Sequence, residues 1–337
     1  MLQVVMNELL PFEKFKREIL VEREGETDLG VGCPPEKRTI PQLIDLGIVN
    51  IDKPKGPTSH QVSDYVQKIL HIEKAGHSGT LDPAVTGVLP IALGRGTRVV
   101  QALLPAGKEY VAVMHLHKEV PEEQIRNACF SFVGEIEQLP PIKSSVKRQL
   151  RTRNVYYLAI YEIDGKDVLF RVGTQAGTYI RKLIHDIGRK LGCGAHMAEL
   201  RRTKAGPFNE NTLVTLQDLA DAYHYWKEDG NEGLLRKYIQ PVENGIEHLP
   251  KIWVFDQAVS ALCHGIDLKV PGVSRFTSPM QKGEMVALLS LKGELVALGT
   301  ANMDTKELLK AEKGVAASTD KVFMLPGMYA SKRIKRG

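Results

Sequence analysis

The run His77-Ser-Gly-Thr-Leu-Asp-Pro-Ala-Val-Thr-Gly-Val-Leu-Pro-Ile-Ala-Leu-Gly94 holds one carboxylate, Asp82, with Gly76, Gly79, Pro83, Gly87 and Pro90 around it. Punctuation this dense predicts a constrained loop rather than a regular helix or strand. Such a loop can hold one side chain in a fixed place, and loops on a rigid scaffold often carry chemistry. Taken alone, Asp82-Pro83 also suits an ordinary turn. The rest of the chain decides between the two.

At 337 residues the chain is too long for one typical domain and fits two. Its 43% hydrophobic and 25% charged residues are those of an ordinary soluble protein. A net charge of +5 suits a polyanionic partner without the excess of a histone-like chain. Cys33, Cys129, Cys193 and Cys263 are far apart, with no C-x-x-C pair. That spacing argues against a cysteine-built zinc site and for reduced thiols of an intracellular protein. No apolar run reaches the length of a membrane span. The start, Met1-Leu-Gln-Val-Val-Met, soon meets Glu13-Lys-Phe-Lys-Arg-Glu18 and is unlike a secretory signal.

Residues 1–39 read as an extension with one short helix around Glu8–Val21. Thr58 followed by Gln61 makes a capping box. Val62, Tyr65, Val66, Ile69 and Leu70 then give one apolar helix face. Glu109–Leu116, Val155–Ile163 and Val168–Thr174 read as strands. Thr178 is the expected cap of a second helix burying Ile180, Leu183, Ile184, Ile187 and Leu191, with Gly192 as its stop. A boundary near Leu249-Pro250 separates a domain over 40–250 from one over 251–326, which has a hairpin pattern around Lys292-Gly293. The tail, 327–337, is basic.

Six stretches, in order over residues 52–203, resemble the motifs of the TruB-type pseudouridine synthases. They are Asp52-Lys-Pro-Lys-Gly-Pro-Thr-Ser-His60, Gly76–Pro83, Lys108-Glu-Tyr110, Pro140-Pro-Ile-Lys-Ser-Ser-Val-Lys147, Gly177-Thr-Tyr-Ile-Arg-Lys-Leu183 and Glu199-Leu-Arg-Arg-Thr203. Ser145 stands where that family usually has alanine. Residues 251–326, with Ala261-Leu-Cys-His-Gly-Ile-Asp-Leu-Lys-Val-Pro-Gly272, resemble a PUA domain, a small β-barrel found on RNA-modifying enzymes. The extension and the C-terminal module point to the dyskerin branch, the catalytic subunits of H/ACA guide-RNA particles.

The resemblance implies an α+β catalytic domain with a mixed sheet, plus the PUA barrel. It implies isomerisation of uridine to pseudouridine, which imports no group and needs no cofactor or metal. Asp82 would either add to C1′ of the ribose or remove the C2′ proton. A single indispensable carboxylate argues against ordinary glycoside hydrolysis, which generally uses two. The target base must be flipped out of its stack. Tyr110 would stack on it and could also assist removal of the C5 proton; a core tyrosine is the alternative. Arg181 would pair with Asp82 and keep it ionised, or else be a solvated surface arginine. Its expected place at the third position of the helix sets a cation at the positive end of the macrodipole, which calls for a negative partner.

Tyr179, Ile180 and Leu200 match positions lining the base pocket, although Ile180 suits a core equally well. His77 would meet the RNA or hydrogen-bond the loop backbone. Lys53 belongs to a motif that supports the loop, with a phosphate contact as the lesser alternative. Lys143, Lys147, Arg148, Arg151 and Arg153 form one basic cluster, and Arg201, Arg202 and Lys204 a second. Both read as phosphate-binding or as solvated faces.

The implied partners are an H/ACA guide RNA, target ribosomal or transfer RNA, and three small particle proteins of zinc-binding, β-barrel and kink-turn-binding types, with no membrane. The expected location is cytoplasmic in an archaeal-type cell and nucleolar in a eukaryotic one. Two rivals stand: a stand-alone transfer-RNA pseudouridine synthase, and a non-catalytic RNA scaffold with a PUA reader. A nucleotide-loop reading of Gly94-Arg-Gly-Thr97 fails for want of the phosphate-cradling pattern.

Overall fold

The computed structural model of the chain describes residues 8–139 and 149–329. β1 (Glu18–Val21) comes from the extension. The larger sheet holds β2 (Gly47–Lys53), β3 (Ala75–His77), β4 (Thr86–Leu93), β5 (Lys108–Leu116), β6 (Gly134–Gln138), β7 (Arg151–Asp164), β8 (Asp167–Thr174), β9 (Ala195–Ala205), β10 (Phe208–Asn209) and β11 (Ile239–Pro241). The smaller sheet holds β12 (Lys251–Val254), β13 (Leu268–Lys269), β14 (Val273–Ser278), β15 (Met285–Ser290), β16 (Leu295–Ala301) and β17 (Val315–Val322), with β1 at one edge. This is an α+β protein with a mixed sheet and a small β module, as expected.

The larger sheet runs β11-β2-β4-β9-β5-β8-β7-β6, with β3 beside β4 and β10 beside β9. Its two halves meet at the parallel pair β4–β9, joined through Thr86↔Arg201 and Gly87↔Arg202. Gly87 takes a φ of +101°, and a Cβ there would lie 2.2 Å from the Arg202 carbonyl oxygen. Only glycine allows so close a meeting. Part of the punctuated run is thus regular structure: Thr86–Leu93 is a strand despite Pro90, paired on one side with β2 and on the other with β3. Strand pairing overrides the local Gly and Pro signals, and the loop proper is confined to about residues 78–85.

Helices bury their apolar stripes on this sheet. The Ser59–Leu70 helix carries the expected Thr58–Gln61 capping box and buries Val62, Val66 and Leu70 against Val49, Ile51, Leu89 and Ile91. The Ile180–Lys190 helix buries Ile180, Leu183, Ile184 and Ile187 against Ala112, Met114, Phe170 and Val172. Gly192 follows it in the left-handed conformation. A further cluster joins Ile48, Val88, Val99 and Phe208 of the larger module to Ala287, Leu289, Leu295 and Phe323 of the smaller, so the two share a core.

The extension differs from its reading. Pro11–Lys14 is a single 3-10 turn, and Glu18–Val21 is a strand, not part of a helix. Its register, Glu18↔Ser278 to Val21↔Arg275, adds it antiparallel to β14. Further along, Arg38 holds the buried Glu243 through two bonds of 2.8 and 2.7 Å. The same carboxylate accepts the Leu295 N–H at 2.8 Å, tying extension, larger module and smaller module together. The basic tail from residue 330 lies outside the described residues. No helix among the described residues is long and apolar enough to cross a membrane.

Candidate active site

Asp82 sits on a loop that is held from below at several points. Lys53, the last residue of β2, is wholly buried, and its ammonium donates to Pro54 O (2.9 Å), Pro83 O (3.3 Å) and Val85 O (2.9 Å). Ser59, in the first turn of its helix, accepts from Leu81 N at 2.8 Å and donates to Leu81 O at 3.3 Å. Gly56 N donates to Pro83 O at 2.9 Å, and Val85 N donates back to Asp82 O at 3.0 Å. Every residue from Leu81 to Val85 save Ala84 therefore has its backbone bonded. A backbone so over-determined fixes where the Asp82 side chain starts.

The Asp82 carboxylate forms an ion pair with the Arg181 guanidinium. Both side chains stay about half exposed, at 50% and 53%, so the pair stands at a surface and not in the core. An opposite charge in contact favours the ionised carboxylate. Arg181 reaches it from the start of the Ile180–Lys190 helix, whose cap is Tyr179, not Thr178. The Thr178 hydroxyl bonds back to Gln175 O at 2.8 Å and is taken up by the turn before the helix. Arg181 consequently lies at the second helical position and not the third. The argument from the macrodipole survives, because both positions lie in the first turn.

Gln138 holds the Tyr179 backbone from both sides, accepting its N–H at 2.9 Å and donating to its carbonyl at 3.2 Å. Ile180 is buried in the core, while Tyr110 and Leu200 are half-buried at the margin of the same apolar cluster. His77 Nδ1 accepts from Gly79 N at 3.4 Å, which is the loop-bonding alternative for that residue. Burial, then Arg202 and His60, lower the His77 pKa below the usual histidine value, which favours the neutral, accepting ring.

Several expected RNA contacts have other partners. Lys53 is committed to the three loop carbonyls and has no route to a substrate. Arg202 is 1% exposed and cannot reach a phosphate. Arg201 and Arg202 are neighbours on a strand and so point to opposite faces, which could have shown that one of them turns inward. Arg201 holds both Asp52 oxygens at 2.9 and 3.1 Å and Glu210 at 2.6 Å. Lys204 holds Glu13 of the extension at 2.8 Å. Arg151 and Arg153 lie on β7, paired in register with Gln138 and Ile136. Arg153 also lies against Gly177, and its Nη1 donates to Thr152 O. Lys143, Lys147 and Arg148 lie outside the described residues.

Three further residues support the site without a signal in the sequence that assigns them this role. Ser59 lay inside a quoted motif, but its bond to Leu81 spans 22 residues. Gln138 carried no signal of its own. Lys108 buries its ammonium among the carbonyls of Leu103 (2.9 Å), Leu104 (2.8 Å) and Ala106 (2.7 Å), bracing the start of β5. Burial, reinforced by Arg202, pushes its pKa down to about 7.

Comparison with known proteins matches four family descriptions to successive parts of the chain. They are a DKCLD (NUC011) domain over residues 8–63, the TruB family pseudouridylate synthase N-terminal domain over 67–180, the tRNA pseudouridylate synthase B C-terminal domain over 181–247, and a PUA domain over 250–323. A probable tRNA pseudouridine synthase B of Pyrococcus abyssi is 59% identical over 95% of this chain and 96% of its own length. Its counterpart in Methanopyrus kandleri is 55% identical over 95% and 94%. The Cbf5 chain of a Cbf5-Nop10-Gar1 complex superposes with a TM-score of 0.92 at 57% identity, covering 96% of this chain and 98% of that one. A chain of an H/ACA RNP bound to a substrate RNA containing 2′-deoxyuridine does so at 0.90 and 56%, covering 96% and 99%. With its motifs, fold and relatives in agreement, the chain belongs to the TruB family of pseudouridine synthases, in the dyskerin branch that carries a PUA domain.

Proposed function

We propose that this chain is the catalytic subunit of an H/ACA guide-RNA particle and isomerises uridine to pseudouridine in ribosomal or transfer RNA. The observation that carries the reading is the Asp82–Arg181 pair, with Tyr179 and Ile180 beside Arg181 in the chain and Tyr110 and Leu200 at the margin of the apolar cluster that holds Ile180. The flipped uridine enters with its ribose toward Asp82. The N1–C1′ bond breaks, the uracil turns, C5 bonds to C1′, C5 loses its proton and N1 gains one. Both candidate first steps, addition of Asp82 to C1′ and removal of the C2′ proton, use the ionised carboxylate. Arg181 orients that carboxylate and Tyr110 offers its ring to the displaced base.

The chain divides, in this reading, into an extension (1–39), a catalytic domain (40–250), a PUA domain (251–326) and a tail (327–337). The smaller module grips the guide RNA and sets which uridine reaches Asp82, a positioning effect. The enzyme works with three small proteins in the cytoplasm of an archaeal-type cell, or in the nucleolus of a eukaryotic one. The names of the curated relatives favour a second reading, action on transfer RNA without a guide. One comparison separates the two. The chain assembled with a guide RNA and the three small proteins should modify the guide-specified uridine much faster than the chain alone modifies a transfer-RNA stem-loop. Equal rates would favour the stand-alone reading.

A further inference from the structure

Glu109 precedes Tyr110 on β5, so the two side chains face opposite sides of the sheet. Glu109 is buried, and a buried carboxylate needs partners. They come from β7, β8 and β9. The Thr203 hydroxyl donates to Oε1 at 2.7 Å, and the Tyr157 hydroxyl donates to Oε2. Lys204 Nζ lies 3.7 Å and Arg171 Nε 4.0 Å from Oε2. Both cations are shared with the extension: Lys204 holds Glu13 at 2.8 Å, and Arg171 pairs with Glu8. Charge therefore alternates along Glu8, Arg171, Glu109, Lys204 and Glu13.

Two irregularities of the sheet meet at this carboxylate. Glu109 pairs with Lys204 and Tyr110 with Arg202, so Thr203 is an extra residue in β9 at that step. Val155 pairs with Thr174 and Tyr157 with Gly173, so Tyr156 is an extra residue in β7. A bulge bends its strand and re-aims the side chains beside it. Glu109 bonds the extra residue of β9 and, on β7, the residue that follows the extra one. Tyr157 spans β8 to reach it because Gly173 lies between. A Cβ on Gly173 would stand 2.3 Å from Tyr157 Cε1.

We propose that Glu109 is a positioning residue of the isomerisation, whose carboxylate pins the Thr203 bulge and thereby sets where Tyr110 presents its ring. The inference rests on the reading of Tyr110 given above. An ionised carboxylate only accepts, so both hydroxyls donate to it, one to each oxygen. Glutamine keeps the size, but its amide nitrogen must face one of the two hydroxyls, which loses its acceptor.

The test is a double-mutant cycle between Thr203→Val and Glu109→Gln, read by single-turnover kinetics of the full chain on saturating RNA. Valine keeps the shape of threonine and removes the hydroxyl. Thr203→Val alone should slow the step by about tenfold, while RNA affinity stays within about threefold. Thr203→Ser restores the hydroxyl and should recover the rate to within about threefold of wild type. In the Glu109→Gln background, Thr203→Val should cost less than about threefold. Equal losses in both backgrounds would overturn the inference, because the hydroxyl would then act without Glu109. A serine variant as slow as the valine variant would overturn it too, since Thr203 would then act by packing alone. Should Glu109→Gln fail to fold by circular dichroism, the contrast between serine and valine decides by itself. Failure of the underlying reading shows separately, as wild-type turnover by Tyr110→Ala, an outcome that a failed clamp does not produce. That result would also overturn the inference, because no stacking ring would be left to aim.

Discussion

Replacing Lys53 with methionine tests how far the catalytic loop depends on a residue that never meets the substrate. Lys53 is wholly buried and bonds the carbonyls of Pro54, Pro83 and Val85. Methionine fills much of the same space and donates nothing. Each buried carbonyl left without a donor costs roughly 1–3 kcal/mol. Against this, the variant no longer buries an ammonium, a burden visible in the lowered Lys53 pKa, caused first by burial and then by Arg202. The balance is a loss of about 2–4 kcal/mol and a melting point lower by roughly 3–6 °C. Val85, whose carbonyl loses its bond from Lys53, lies three residues after Asp82, and Pro83, which keeps only its bond from Gly56 N, follows it directly. A displacement of about 1 Å at the reacting group costs on the order of a hundredfold in rate. RNA affinity should stay within about threefold, since Lys53 has no exposed surface to lose. Single-turnover tritium release from C5-labelled uridine measures the rate, filter binding the affinity and calorimetry the stability. A Lys53→Met variant that turns over and melts like the wild type would refute the clamp.

Arg181→Lys should lose about a hundredfold in single-turnover rate with RNA binding intact, because an ammonium cannot hold the carboxylate through two parallel bonds. His248, pushed down to about 4 by burial and by Lys108, Lys251 and Arg17 against its bond to Ala102 O, is neutral when folded, so the unfolded chain takes up a proton first as pH falls below about 6.5. Its contribution is thus intact above that pH and lost toward pH 4, and the stability of wild type relative to His248→Gln should fall by about 3 kcal/mol over the interval, as measured by denaturant titration. A chelator should leave the rate of the isolated chain on a folded stem-loop unchanged, since the isomerisation asks for no Lewis acid.

What was legible in the sequence was local or carried by motif. The Thr58 box and the helix after it follow from spacing within one element, and so do the buried face and the Gly192 stop of the Ile180–Lys190 helix. Asp82, Arg181 and Tyr110 came from motifs in order, and the structure brings the first two into contact. What escaped depends on distant partners. β1 reads as helical because its hydrogen-bond partner, β14, lies more than 250 residues away. Thr178 looks like a cap, yet Gln138, 41 residues upstream, takes the Tyr179 backbone and moves the helix start by one residue. Arg202 looks like a phosphate ligand until the β4–β9 contact buries it. In each case the deciding neighbour is set by sheet topology, which charge runs and periodicity do not encode.

The claim on which the rest depends is that Asp82 performs the chemistry, and Asp82→Asn measures it most directly. The amide keeps the shape and the loop contacts but lacks the charge that a nucleophile or base requires. Tritium release from C5-labelled uridine RNA, with mass-spectrometric mapping of the product, should show no pseudouridine, while RNA affinity stays within about threefold of wild type. Turnover within about tenfold of wild type would contradict the account and move the chemistry to another residue.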